Sequence, residues 1–414
     1  MAPSPSGYTQ GRVRDPVPRP PSQVPPNRTT AQGATVKLSF LDPLFSRPGP
    51  WASVHLDTSR DIDEPDKAID LRWRHLRDSL RDQGTDAATV SVLDAAVGTG
   101  RDLPGRYGQA LFAAHGRLVL VADLPDPPVR DTARFDDLPD TLPLAMQRAP
   151  DIPYVAVALT RGVSDEKDEK DETSEYVSVV AESGRWPVSR VAPGPRLDRV
   201  VPVEEWPRTA SRIAEEVDEL AARHGAEVVV LRRDEGDPWL SGVLVNRMPI
   251  HLQNRATVVE SSPGTAADTT TPGRPLMERE VARTLDGRLS GPDRLQLDTF
   301  LAQRARHRQK SEGVPAAVTA LQRGRARALL LTRSPRLPER LWLGAEPHQV
   351  ALSAEELETF GVKSVRDQPA DAALLHAAAR TGAELIVLDP DRVPLTDGVG
   401  VLLRYREPGD MAVE

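Results

Sequence analysis

The sequence predicts an α/β protein of three domains. Strand-like apolar runs alternate with amphipathic stretches from Trp51 to Leu403, the C-terminal third repeats a helix-then-strand order, and a Thr-, Gly-, Pro- and Ala-rich linker at 263–275 divides the chain. A length of 414 residues leaves room for several apolar cores. Aromatic residues make up only 4% of the chain, so Leu, Val and Ala must fill those cores. The six tryptophans are too scattered to form a base-stacking platform.

Residues 1–33 are rich in Pro, Ser, Thr and Arg and lack apolar periodicity, which predicts a disordered tail. An N-terminal α/β domain is expected over 34–150. It begins with the alternating stretch Val36–Leu41 and the strand Trp51–Leu56. A helix follows from Asp66, with Ile69, Trp73, Leu76 and Leu80 on one face, and a second helix spans Asp86–Val97. Strands Gln109–Ala113 and Leu118–Val121 are joined through His115-Gly116-Arg117. A middle domain is expected over 151–262. Strands Tyr154–Leu159 and Tyr176–Val180 flank a charged hairpin tip at 164–172, whose carboxylates have no coordination spacing. A helix over Pro207–His224 ends at Gly225, and Glu227–Leu231 reads as a buried strand, which suggests a mixed sheet covered by helices. The C-terminal domain, 276–406, is expected to be an α/β/α sandwich. Its helices lie over Leu276–Arg308 (broken near Ser290-Gly291-Pro292), Val314–Gln322 and Asp371–Arg380, and its strands at Ala328–Leu331 and Leu385–Leu388.

Composition removes several classes of function. With no cysteine there is no disulfide framework, thiolate zinc site or Cys nucleophile, which suits a reducing cytoplasm. No run of about 18 apolar residues occurs and the N-terminus lacks a signal-peptide core, so neither a membrane nor export is expected. HExxH, G-x-S-x-G, Walker A and EF-hand patterns are absent, and no catalytic residue, metal or cofactor is assigned. Gly98-Thr99-Gly100 with Gly105 reads as a plain loop, and Asp57, Asp61, Asp63, Glu64 and Asp66 read as helix-start chemistry. His251 stands alone in a strand-like stretch and reads as structural.

The charge pattern is less ordinary. Between Leu301 and Arg340 ten basic residues face only Glu312 and Glu339, so this segment carries +8 in a chain of net charge -8. Two readings stand: a patch for a polyanion, with structured RNA favoured over DNA, or a solvated helix face. The candidate RNA or ribosome contacts are Arg304, Arg306, Arg308, Lys310, Arg323, Arg325 and Arg327, with Gly324 allowing close backbone approach.

Four stretches carry a family resemblance: Trp51–Asp57, Gly105–Ala113, Ala320–Leu330 and Asp397–Tyr405. In this order they resemble actinobacterial members of the bacterial archaeo-eukaryotic release-factor-like family, relatives of Pelota and the class-1 release factors, over roughly residues 35–406. The resemblance implies a divergent N-terminal domain, an RNase-H-like middle domain and an L7Ae-like C-terminal domain. It also implies that the middle domain reaches the peptidyl transferase centre, where release factors use a Gly-Gly-Gln loop to position the attacking water. This chain has no Gly-Gly-Gln, and Gly108-Gln109 lies in the first domain. The equivalent place, Arg185–Arg199, is basic and carries Pro193, Gly194 and Pro195 between Arg190 and Arg196. Such a loop could touch ribosomal RNA or be a solvated connection. The implied function is a non-catalytic factor occupying the ribosomal A site, as the hibernation factors among these relatives are thought to do, with elongation factor Tu as a further partner. The alternatives are a peptidyl-tRNA hydrolase or rescue factor using Arg190, Arg196 or Asp198, and a stress-associated protein scaffold.

Overall fold

The structure is a computed structural model that describes residues 38–99, 103–163, 174–233, 236–260 and 273–405. The expected tail, the hairpin tip and most of the linker at 263–275 lie outside the described residues.

Where a strand was expected at 36–41, residues Ser39–Leu41 form a 3-10 turn that leads into helix α1 (Asp42–Phe45). Leu38, Leu41, Leu44 and Phe45 are all buried, a helical spacing that outweighs the apparent alternation. The elements that follow are β1 (Trp51–Asp57), α2 (Pro65–Asp82), α3 (Ala87–Asp94), β2 (Gly108–Ala114), β3 (Arg117–Leu124), β4 (Thr132–Asp136) and α4 (Leu142–Arg148). The strands pair antiparallel in the order β3-β2-β1-β4. Strand periodicity divides β1 between two cores. Ala52, Val54 and Leu56 pack on Ile69, Trp73, Leu76 and Leu80 of α2, and Trp51 joins the cluster on the opposite face. The acidic set is local chemistry: Asp57 accepts the Ser59 N–H at 2.8 Å, and Asp66 pairs with Arg60 at 2.9 Å.

The middle of the chain comprises β5 (Ile152–Val163), β6 (Glu175–Trp186), β7 (Arg196–Pro202), α5 (Trp206–His224), β8 (Val228–Arg233), α6 (Pro238–Arg247), α7 (Ile250–Gln253) and β9 (Ala256–Glu260). Its sheet runs β7-β6-β5-β8-β9, with the first three strands antiparallel and the last three parallel. Burial is continuous from Ile152 to Leu159 because both faces of the sheet are covered. Trp206, Ile213 and Val217 of α5 cover one face. The other is covered by Leu276, Met277, Val281 and Leu285, so α8 (Glu278–Leu285) packs on this sheet rather than on those further along the chain. His251 lies not in a strand but on α7, exposed, with Nε2 2.8 Å from an Asp218 oxygen.

The remaining elements are α9 (Gly291–Arg306), α10 (Arg308–Ser311), α11 (Val314–Gln322), β10 (Ala326–Thr332), β11 (Arg340–Leu343), β12 (Val350–Ala351), α12 (Ala354–Thr359), β13 (Arg366–Pro369), α13 (Ala370–Arg380), β14 (Glu384–Leu388) and β15 (Val399–Leu403). They form two three-stranded sheets, β14-β10-β15 and β12-β11-β13; the first is covered by α11 and α13 on one face and by α9 on the other, and the second was not expected. The short second sheet escaped sequence reading because β11 to β13 are only two to four residues long. Strands β10 and β14 are parallel, with Thr332 beside Leu388 at their C-terminal ends. One apolar cluster joins Leu44, Trp51 and Phe112 to Val318, Leu374 and Leu385, so the first sheet and the C-terminal helices share a core.

Candidate functional site

The arginine-dense segment folds into separate environments. Glu312, almost wholly buried, pairs with both Arg304 and Arg308 and accepts the Thr396 hydroxyl at 2.9 Å. Arg304 also donates to the Pro394 carbonyl at 3.0 Å, so two of the predicted contacts brace the helix end against the loop before β15. Arg306 and Lys310 are exposed. Arg323, Arg325 and Arg327 cluster at the N-terminal end of β10, at the helix-to-strand junction expected for them. Arg327 sits at the register shift between Ala326 and Ala328, and its side chain is exposed. Gly324 has φ +62° and open space around it, so it serves the left-handed turn rather than a close backbone approach. Arg333 lies at the other end of β10, a strand length of roughly 20 Å away.

The stretch 185–199 is mostly structured. Strand β6 continues to Trp186, Val188–Arg190 make a 3-10 turn, and β7 resumes pairing at Arg196, opposite Glu182. The connection at 187–195 folds back on the sheet: the Ser183 N–H donates to the Pro195 carbonyl at 3.2 Å, and Val191 packs on Leu103 and Tyr107. A Cβ at Gly194 would stand 1.9 Å from the Ser183 carbonyl oxygen, so only glycine fits there. Its arginines are engaged. Arg196 pairs with buried Glu182 and donates to the Arg274 carbonyl at 2.9 Å. Arg190 pairs with Asp126 and, at 2.9 Å, with Glu278, and its guanidinium lies 5.8 Å from the centre of the Trp186 ring. Burial pushes the Glu182 carboxyl up, while Arg196 opposes that shift.

Arg190 also lines the wall of a cleft of about 1120 Å³ that reaches from this connection to the C-terminal ends of β10 and β14. Arg106, Arg288, Arg294, Arg333 and Arg392 line it as well. Sequence reading missed these as a site, since they come from four separate segments. The available signal was polar residues placed just past apolar strands, namely Arg333 after β10 and Asp389 to Arg392 after β14. Among the described residues no group of His, Asp or Glu side chains could hold a metal ion, and no helix is long and apolar enough to cross a membrane.

The model of Bacterial archaeo-eukaryotic release factor family 2 matches residues 153–306, the five-stranded sheet together with α8 and α9. Over these residues the chain is similar to that family. Across most of its length it is also similar to the uncharacterized protein Rv2629 of Mycobacterium tuberculosis, with 25% identity over 369 residues, 87% of this chain and 95% of the relative. Among solved structures, the archaeal translation termination factor aRF1 is 14% identical with a TM-score of 0.20, covering 89% of this chain and 97% of that one. Archaeoglobus fulgidus Pelota is 11% identical with a TM-score of 0.33, covering 72% and 80%. The release-factor family read from the sequence is therefore found again in the family match.

Proposed function

We propose that this protein is a ribosome-binding translation factor of the cytoplasm that occupies the A site in the manner of a release factor or Pelota and does not cleave peptidyl-tRNA. The five-stranded order β7-β6-β5-β8-β9, an antiparallel hairpin unit followed by parallel strands, supports an RNase-H-like middle domain. The sheet β14-β10-β15 with its helices is the part assigned to an L7Ae-like domain. The observation that carries the non-catalytic reading is the connection at 187–195. It is nine residues long, pressed on β6 through Gly194, and lacks Gln, His or a Gly-Gly pair to place a water.

Arg306, Arg323 and Arg327 are exposed and make no ion pair among the described residues, so they are the cations available for RNA phosphates or for a protein partner such as elongation factor Tu. A hibernation or stress role fits a factor that fills the A site without chemistry. Pelleting the purified protein with 70S ribosomes through sucrose, at low and raised salt, tests the reading. Co-sedimentation that weakens with salt is expected, and absence from the pellet at low salt refutes it.

A further inference from the structure

We infer that the cleft at the C-terminal ends of β10 and β14 is a binding site for a nucleotide, with its phosphates held by Arg288, Arg294 and Arg333 and its base on an apolar shelf. The first support is charge. Eight arginines and five carboxylates line the cleft, but the carboxylates do not neutralise the arginines evenly. Glu278 and Asp126 hold Arg190, and Glu278 also holds Arg274. Asp286 accepts the Trp186 indole N–H at 2.9 Å, and Asp389 accepts the Asp391 N–H at 3.0 Å. Arg106, Arg288, Arg294 and Arg333 make no ion pair among the described residues, so the cleft keeps a positive excess with no internal partner.

Topology is the second support. Arg333 and Asp389 follow directly on the paired Thr332 and Leu388, where two parallel strands end, and in α/β sheets the crevice outside the carboxyl ends of the strands is where ligands sit. Arg392 donates to the Gly287 carbonyl at 3.3 Å, which brings the loop after β14 against the turn carrying Arg288. The third support is shape and polarity. The cleft has room for a small-molecule ligand, and Leu289, Leu297 and Val393, which share one apolar cluster, supply half-buried apolar surface beside the cations. Arginine forks favour phosphate oxygens, and the shelf provides the area that a purine or pyrimidine would bury. A bare anion would leave that shelf unused.

The test is isothermal titration calorimetry on the full chain with GTP, ATP, guanosine, pyrophosphate and a short single-stranded RNA. Saturable binding of a nucleoside triphosphate is expected, tighter than that of pyrophosphate and with guanosine weakest. The Arg288→Ala/Arg333→Ala variant should weaken binding by about tenfold or more, while Arg74→Ala/Arg247→Ala, on exposed helix surfaces elsewhere, should not. Both changed cleft residues are exposed, so folding should survive, and Arg294→Glu gives a second variant read by the same titration. No saturable nucleotide binding overturns the inference. So does equal affinity for pyrophosphate, tighter binding of the RNA, or equal loss in the two double variants. Ribosome pelleting is scored separately, so failure here leaves the proposed function standing and the reverse holds as well.

Discussion

Acidification from about pH 7.5 to about pH 5 should destabilise the fold by roughly 2–3 kcal/mol, mainly through buried His55 and half-buried His376. His55 on β1 is fully enclosed, edge-on to Phe112, with both ring nitrogens lacking a hydrogen-bond partner among the described residues. Burial pushes its pKa down to about 4; Arg134 adds to that shift, and Asp371 opposes it. Burial likewise lowers His376 on α13 to about 4, with help from Arg380. The unfolded chain therefore binds protons at these sites from about pH 6.5 downward while the folded chain refuses them until about pH 4. Stability is complete above the unfolded value and is lost as pH falls through that window, by about 2 kcal/mol per histidine at pH 5. Asp140 acts in the opposite sense. Burial raises its pKa to about 6, so the folded state gains a proton first and recovers about 1 kcal/mol over the same range. Urea unfolding followed by fluorescence at a series of pH values measures the balance. In His55→Leu the acid loss should shrink by about 2 kcal/mol, and in Asp140→Asn it should grow by about 1 kcal/mol. A pH profile of His55→Leu that superimposes on the unaltered protein, or an NMR titration of His55 near 6.5, would refute the reasoning.

Replacing Arg323, Arg325 and Arg327 together with Ala should weaken ribosome binding by about 1–3 kcal/mol with little change in Tm, as read by pelleting and calorimetry. Glu312→Gln should instead lower stability by about 1–3 kcal/mol, because it removes the buried charge that faces Arg304 and Arg308; denaturant unfolding checks this. Gly194→Ala forces its Cβ against the Ser183 carbonyl and should cost about 2 kcal/mol or more, seen as a lowered Tm. In a single-turnover assay with labelled peptidyl-tRNA in the P site, no release above the ribosome-only background is expected. Release that disappears on changing Arg196 and Asp198 would place the protein among the hydrolases.

Long periodic elements were legible in the sequence because their spacing alone states which face is buried. Ile69, Trp73, Leu76 and Leu80 on α2, and Ile213, Val217 and Leu220 on α5, lie on the faces that the periodicity indicated. The short strands β4, β11, β12 and β13 were not legible, since two to five residues without a continuous apolar run show no periodicity of their own and become strands only by pairing. The packing of α8 was also hidden. Its Val281 and Leu285 fit an amphipathic helix beside any sheet, and only the second, uncovered face of the middle sheet decides which one.

The arginine-rich segment shows why charge read along a chain differs from charge read in space. A +8 total suggests one patch, but the segment contains a whole buried strand, β10, and a strand separates whatever lies at its two ends. The arginines before it are exposed residues beside a bulge, where an extended polyanion can reach them. Those on α9 and α10 are partly cancelled by Glu312, whose burial holds both partners close. Arg333, just beyond the strand, turns into a concave wall completed by arginines from α9 and from the turns after α8 and β14. The same residue type therefore meets three different demands: open surface, structural ion pair and lined cleft. Neutralising one of them should leave the other two intact, because more than a Debye length of about 8 Å separates the two ends of β10.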